Sequence, residues 1–398
     1  MTSEIKQRIT QLNNGEVPNG YEKTEIGTFP VGWKTTTLDK LLEFKNGVNA
    51  DKEKYNSGVK MISVMDILTD SPIYYDKIKG QVDIDEKTLD TYSVTYGDIL
   101  FQRSSETFED AGKSNVYLDQ DRTATYSGFV IRGKKKADYN PYFLNEALRI
   151  GQVRNQIIRN AAGSQHINVG QDSLAKIIVP LASDIEQSKI AEILMKWDEA
   201  IELQKKYNHI LYLKQKMLIT KVMASVAGDL KPLSDCVKYH PSDLLVKELS
   251  YVESGYPVYG ATGIATLIDN YCFDCKTVAI IKYGSSAGKV IMLNGKHSVL
   301  GTMAEMLPVE GIDIEYIYYL LKTFSFKKYI EISTTPNVYF EDYSKEKIVI
   351  PSYEKQKEIA KTLNHFECIV QANESKLDLL KKQRKALQQY LLNGIVRV

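Results

Sequence analysis

Apolar positions along two stretches of this chain step by four and three. In the first they fall at Ile190, Leu194, Trp197, Ile201, Leu211, Leu218 and Val222, with Gln204, Asn208 and Gln215 as polar interruptions. In the second they fall at Ile359, Leu363, Phe366, Val370, Leu377, Leu380, Leu387 and Leu391, interrupted by Asn373 and Arg384. A sustained 4-3 seam is the pattern of a coiled coil, and polar residues inside it lower stability while fixing register and partner. Residues 184–223 as one helix reach about 60 Å at the helical rise. A single such helix cannot bury its own stripe, so the economical solution is that the two pair antiparallel. The alternative, a long hairpin inside one globular core, is disfavoured because more than 120 residues separate the helices and each follows its own globular block.

The two stretches are copies. Placing Gln187 on Gln356 gives an offset of 169 that also matches Ile190 with Ile359, Ala191 with Ala360, Leu194 with Leu363 and Trp197 with Phe366. The same register matches Ile201 with Val370, Leu211 with Leu380 and Leu218 with Leu387. A fixed-period self-match is an architectural signal. Ahead of each helix lies a short apolar strand, KIIVP or KIVIP, and ahead of that a block of short β-type runs and turns. In the first block these runs are VKMISVMDI, DILFQRS, SNVYLD and SGFVIR; in the second, PVYG, TVAIIKYG and KVIML. Residues 140–160 predict a helix opened by Asn140-Pro141, with proline at its first position, and residues 312–332 its counterpart. Ser3–Leu12 predicts a short helix. Pro18, Gly20, Gly27, Pro30 and Gly32 then argue against regular structure before Trp33. The predicted fold class is α+β: two mixed α/β domains, each followed by a long helix, the helices forming an antiparallel coiled coil. The expected divisions are 1–20 (N-terminal segment), 21–182, 183–226 (central helix), 227–352 and 353–398 (C-terminal helix).

Composition narrows the class. The chain has 398 residues, 43% hydrophobic and 25% charged, which suits two or three ordinary domains. No apolar run approaches the ~18 residues of a membrane span, and the N-terminus lacks signal-peptide features, so a cytoplasmic location and no membrane partner are expected. Cys272 and Cys275 form a lone CxxC, and with Cys236 and Cys368 read as ordinary reduced thiols rather than a zinc site. Net charge is +1. Between residues 122 and 159, however, Arg122, Arg132, Lys134, Lys135, Lys136, Arg149, Arg154 and Arg159 face only Asp138 and Glu146. Such a run is either a local phosphate-binding face or a solvated turn and helix surface.

Motifs that carry catalysis fail on inspection. Gly284 to Val290 resembles a phosphate loop but is one residue short and ends in Val where Mg²⁺ needs Ser or Thr. Asn140-Pro141-Tyr142-Phe143 lacks the second proline of an amino-methyltransferase motif. The histidines (His166, His209, His240, His297, His365) have no metal or triad spacing. No metal site and no catalytic residue is expected.

Polar loops at matching places remain. Aligning Pro180 with Pro351 lays Ser164, Gln165 and His166 over Thr335, Pro336 and Asn337, between the last helix and last strand of each block. Asn168, Thr334 and Tyr339 belong to the same loops. A second set comprises Arg103, Ser104, Ser105 and Lys113, matched by Lys282, Tyr283, Ser285, Ser286 and Lys289, with Tyr259 in the PVYG run. A Gly-Lys pair recurs at 112–113 and 288–289. Asn and Gln bond an adenine edge bidentately, and Ser or Thr serve base or phosphate; the plain alternative is turn chemistry. Without Pro336, these eighteen positions are the candidate DNA-contacting residues.

In order, GYEKTEIGTFPVGW, YGDILF, GSQHINVGQDSLAKIIVPLASDIEQSKIAEIL, YPVYGATG, KYGSSAGKV, TTPNVYFEDYSKEKIVIPSYEKQKEIAKTL and QRKALQQYLLNG resemble the specificity (S) subunits of type I restriction–modification systems over essentially the whole chain. The resemblance implies two target-recognition domains, each binding one half of a split, asymmetric double-stranded DNA site, held apart by two conserved helices. It implies no catalysis in this chain. It further implies assembly with two modification (methyltransferase) subunits and with restriction (endonuclease/translocase) subunits, which carry S-adenosylmethionine, ATP and Mg²⁺. The second block departs from the GSQ form of the loop and carries TTPN. Two other classes stay open on the residues alone: a standalone DNA methyltransferase or nuclease, and a coiled-coil adaptor that binds only protein.

Overall fold

The computed structural model describes residues 2–330 and 336–398. The chain forms two compact units, Met1–Leu203 with Leu377–Val398, and Gln204–Lys376. Each contains half of both long helices, Asp184–Ala224 and Tyr353–Leu392.

The two units are built to one plan. In the first, a four-stranded antiparallel sheet runs in the order Leu42–Asn46, Val130–Lys135, Ile99–Gln102, Ser114–Val116. In the second, Val237–Pro241, Met303–Pro308, Thr277–Ile281 and Val290–Leu293 occupy the same order. Central strands Ile99–Gln102 and Thr277–Ile281 are buried along their whole length, as strands covered on both faces must be. After the sheet, each unit has a helix (Pro141–Ala147 or Ile314–Lys322), then a short helix (Gln171–Ala175 or Phe340–Tyr343) and an edge strand. That strand pairs antiparallel with one from the start of the unit: Ile178–Leu181 with Lys34–Thr37, and Lys347–Ile350 with Asp229–Pro232. The units differ in what is inserted beside the sheet. The first carries a three-stranded sheet around Tyr55–Ile62, the second a four-stranded one around Tyr256–Gly260.

The repeated glutamine has a structural purpose in both copies. Gln187 accepts from the Asn140 amide through Oε1 (2.9 Å) and donates from Nε2 to the Ala182 carbonyl (2.9 Å). Gln356 does the same with the Asp313 amide (2.8 Å) and the Pro351 carbonyl (3.0 Å). Asn140 and Asp313 are themselves the N-caps of the domain helices, so each glutamine ties a helix start to the entry of a long helix. Both are almost wholly buried, where every amide group needs a partner.

The predicted seams are occupied as expected. All seam positions of both helices are buried or half-buried. In unit 1 the pairing closes on Arg384, whose Nε and Nη1 meet Asp198 (2.8 Å) and Glu146 (2.7 Å). Tyr142 and Gln388 join the same group, Gln388 donating to Glu146 (2.8 Å). In unit 2, Gln215 donates to Glu367 (3.2 Å) and Asn208 to the Asn373 carbonyl (3.1 Å). The polar interruptions are thus satisfied hydrogen-bonding positions that set an antiparallel register.

The Trp33 segment and the C-terminal tail close unit 1. Trp33 stacks on Phe29 and donates to Glu186 (2.9 Å), which also holds Arg397 (2.6 Å). The Tyr21 hydroxyl donates to the Gly394 carbonyl (2.5 Å), and Leu391 and Leu392 enter the unit 1 core.

Four sequence expectations need correction. The breaker-rich stretch before Trp33 contains a hairpin, Tyr21–Thr24 paired with Gly27–Pro30 across Glu25-Ile26; Gly27 and Pro30 stand inside its second strand, which a two-stranded pair tolerates because both strands are edges. Within VKMISVMDI only the first part is strand; Val64–Ile67 is a helical turn opened by a Ser63–Asp66 capping box. Residues 140–160 form two helices, Pro141–Ala147 and Gly151–Arg159, divided at Ile150, whose extended backbone caps the second. In the second block the helix ends at Lys322, followed by a single turn at Phe326–Tyr329.

Candidate nucleic-acid interface

The candidate site of each unit grows out of the end of the central strand. In unit 1, Ile99–Gln102 runs into Arg103, and Ser104–Ser105 then pairs with Ile167–Asn168. The Arg103 amide donates to the Phe129 carbonyl (3.0 Å) and its own carbonyl accepts from Val169 (3.0 Å). Gln102 and the Gly112-Lys113 turn exchange backbone hydrogen bonds. Unit 2 repeats this bond for bond. The Lys282 amide donates to the Thr302 carbonyl (2.9 Å), its carbonyl accepts from Val338 (2.9 Å), and Ile281 exchanges bonds with Gly288 and Lys289. Tyr283 bridges to Asn337 as Ser104 does to Asn168. Gly112 and Gly288 have positive φ, and a Cβ there would meet Ile157 Cγ2 at 2.6 Å or Phe326 Cβ at 2.5 Å. Glycine before lysine is required by the turn and by the packing beneath it.

This geometry revises the alignment of the loops. Asn168-Val169 corresponds to Asn337-Val338, the same offset of 169 as Gln187 and Gln356, and the prolines at 180 and 351 are not equivalent. Asn337 is therefore the counterpart of Asn168, not of His166. A proline is an easy landmark to align on, but the hydrogen bonds from Val169 and Val338 fix the backbone.

Side chains around these frames are polar and accessible to different degrees. Asn168 is exposed; its Nδ2 donates to the His166 carbonyl (3.0 Å) and its Oδ1 accepts from Ser104. Asn337 donates to the Tyr339 hydroxyl (3.2 Å). Ser164, Gln165 and His166 form an exposed tip beside Asn168. Arg103 donates to the Gly128 carbonyl (3.3 Å), and Lys113 pairs with Asp110 (2.5 Å). Burial holds the Lys282 ammonium below its usual range, with Asp243 acting the other way; it lines a cavity of about 430 Å³ with Tyr283, Ser242, Leu300 and Thr302. Ser285 is exposed and Ser286 half-buried in the Gly284–Lys289 turn. Two candidates lie apart from these surfaces. Ser105 is buried and donates to Thr107, while Tyr259 packs edge-on to His297 and against the small second core of unit 2. Thr334 and Thr335 lie outside the described residues.

The basic run between residues 122 and 159 does not form one face. Arg122 is held by Asp76 and Asp119, Arg132 is buried against Tyr126, and Arg154 donates to the carbonyls of Glu109, Ala111 and Gly112. Arg149 pairs with Glu146 (3.1 Å). Guanidinium groups suit such forked contacts inside a fold, so spacing along the chain overstated the free charge. An exposed aromatic escaped notice instead: Phe129 is 65% exposed beside Arg103. A lone Phe in SGFVIR carries no sequence signal that separates it from a core residue.

Among the described residues no group of His, Cys, Asp and Glu is arranged to hold a metal, and no helix is long and apolar enough to cross a membrane.

The family model for the type I restriction modification DNA specificity domain matches residues 30–211 and 229–382, one match for each copy. The chain belongs to this family. It is a type I restriction–modification specificity subunit, with DNA recognition as its task. It is 25% identical, over 95% of its length and 97% of the relative's, to the putative type I restriction enzyme MjaX specificity subunit of Methanocaldococcus jannaschii. It is also 23% identical to the EcoprrI specificity subunit of Escherichia coli, over 53% of this chain and 57% of that one. Among solved structures, the S subunit from M. genitalium superposes with a TM-score of 0.57 at 16% identity, covering 95% of this chain and 98% of that one. A chain from a study of complex assembly and conformational transition of the type I R-M system gives 0.59 at 14% identity, covering 92% and 99%. At these identities the structural likeness speaks to the fold of the specificity subunit alone.

Proposed function

We propose that each unit reads one half of a bipartite, asymmetric double-stranded DNA site, unit 1 through Arg103, Ser104, Lys113 and Asn168, unit 2 through Lys282, Tyr283, Lys289 and Asn337. The observation that carries this reading is one backbone frame built twice with different side chains on it, Asn168 facing Ser104 in one and Asn337 facing Tyr283 in the other. An amide side chain has two N–H groups and two lone pairs. The bonds of Asn168 to Ser104 and His166 use one of each and hold the amide in place. One N–H and one lone pair remain, the set that recognises an adenine edge. Arg and Lys nearby supply phosphate or guanine contacts. Unlike neighbours in the two units make the half-sites unlike.

Methyl transfer and cleavage belong, on this reading, to partner subunits, with S-adenosylmethionine, ATP and Mg²⁺ bound there. Two modification subunits fit a chain that repeats its helices. The first long helix presents Tyr207, Ile210, Leu213 and Met217 to solvent, Met217 at 71% exposure. A stripe at helical spacing, away from the mutual seam, suits a partner helix. Restriction subunits complete the assembly.

The test is expression of the chain with its modification partner, followed by sequencing of methylated adenines. Asn168→Ala is expected to relax or abolish recognition at one half-site and Asn337→Ala at the other. Unchanged motifs in both variants would remove these loops from the reading surface. Ile210→Asp with Met217→Asp is expected to abolish co-purification of the modification subunit; retained binding counts against the stripe.

A further inference from the structure

Phe129 sits at the top of the unit 1 frame on a turn that leaves its backbone no freedom. Val130 donates back to Ser127 (2.9 Å), the Phe129 carbonyl accepts from Arg103, and Arg103 also donates to Gly128. Gly128 is buried, and a Cβ there would lie 1.8 Å from Asn49 Oδ1, so the turn is packed from its other side as well. Yet the phenyl ring is 65% exposed. An aromatic side chain held out by a rigid backbone loses little conformational entropy when it binds. Unit 2 has the same turn: Met303 donates to Leu300 (2.8 Å), Gly301 follows, and Thr302 takes the place of Phe129, its carbonyl accepting from Lys282. Thr302 is exposed too.

Phe and the methyl of Thr share one property at a DNA surface: both make apolar contact with the thymine 5-methyl group, the apolar feature of the major groove. Their neighbours, Asn168 with Arg103 and Asn337 with Lys282, are residue types that read base edges in that same groove.

We propose that Phe129 is a specificity-determining residue that packs on a thymine methyl in the half-site read by unit 1. The proposal rests on the frame around Arg103 and Asn168 being the reading surface.

The test uses the complex of the full chain with its modification subunits and duplexes carrying the methylated motif. Each thymine of the unit 1 half-site is replaced in turn by deoxyuridine, which lacks only the methyl. At one position the wild type is expected to bind about fourfold more weakly, the effect of one buried methyl-sized group. Phe129→Ala should bind thymine and deoxyuridine duplexes equally at that position, and Phe129→Leu should keep part of the preference. Substitutions in the other half-site should affect wild type and Phe129→Ala alike. The proposal is overturned if no deoxyuridine in the half-site matters, or if Phe129→Ala loses as much on substitution as the wild type. Asn168→Ala separates the two levels. If it weakens binding while Phe129→Ala behaves as wild type, only the role of Phe129 fails. If both bind as wild type, the reading surface fails with it. The ring is exposed, so tryptophan-monitored melting of Phe129→Ala should match the wild type.

Discussion

Replacing Arg384 with Met removes the centre of the most buried charge network in unit 1. The Arg384 side chain is 11% exposed and faces Glu146 at 1% and Asp198 at 20%. Burial alone would lower its basicity, but Glu146 and Asp198 outweigh this and hold the guanidinium protonated. Without it, Glu146 keeps Arg149 and Gln388 as partners but shares a largely buried site with Asp198 and no central cation. Breaking a buried pair by removing one partner costs about 3–5 kcal/mol. For a unit of this size that is a fall in melting temperature of roughly 6–20 °C, at about 2–4 °C per kcal/mol. The assay is built into the chain, because its two tryptophans, Trp33 and Trp197, both lie in unit 1. Intrinsic tryptophan fluorescence in urea therefore follows this unit. Arg384→Met combined with Glu146→Gln and Asp198→Asn should recover most of the loss, since it removes the uncompensated charges. A single-variant loss below about 1 kcal/mol, or a triple variant no better than the single, would refute the view that this network locks helix pairing to the domain.

Other consequences follow from named contacts. Gln187→Ala gives up two buried hydrogen bonds at about 1 kcal/mol each and should shift the tryptophan transition; Gln356→Ala should leave that signal unmoved while loosening hydrogen exchange in unit 2. Gly288→Ala places a methyl against Phe326 in a left-handed backbone and should destabilise unit 2 by about 1–3 kcal/mol, seen as faster exchange in Thr277–Ile281. His297 is buried, which lowers its pKa, but hydrogen bonds to Glu305 (2.7 Å) and the Gly295 carbonyl (2.8 Å), with the Glu305 charge, raise it overall. A raised native pKa means the stabilisation is complete below the unfolded value of about 6.5 and is lost as pH rises through the native one. Protection of Met303–Pro308 should therefore decline as pH rises above the unfolded value of about 6.5 in the wild type and be flat with pH in His297→Gln.

The long helices were legible because the 4-3 seam is a property of spacing, and every seam position from Ile190 to Leu391 is wholly or partly buried. The domain frames were legible in outline, since the strand ends at Arg103 and Lys282, the Gly-Lys turns and the Asn loops recur at matching places. The loops misaligned because their equivalence is carried by backbone bonds from Val169 and Val338, to which sequence is silent, while prolines offer a false landmark. Charge density misled for a related reason. Arg132 and Arg154 turn into the fold and Arg122 is tied down at the surface by Asp76 and Asp119, and position along the chain does not say where a side chain turns. The hairpin before Trp33 was missed because Gly27 and Pro30, read as breakers, stand inside a strand of a two-stranded pair, where both strands are edges.

On the proposed function, two recognition units in one chain read two different half-sites. Cells expressing this chain with its modification subunit, analysed by sequencing of methylated adenines, test it directly. The expected result is a bipartite, asymmetric motif with a gap of fixed length, in which exchange of residues 21–182 for those of another family member alters one half only. A continuous palindrome, or an exchange that alters both halves at once, would contradict it.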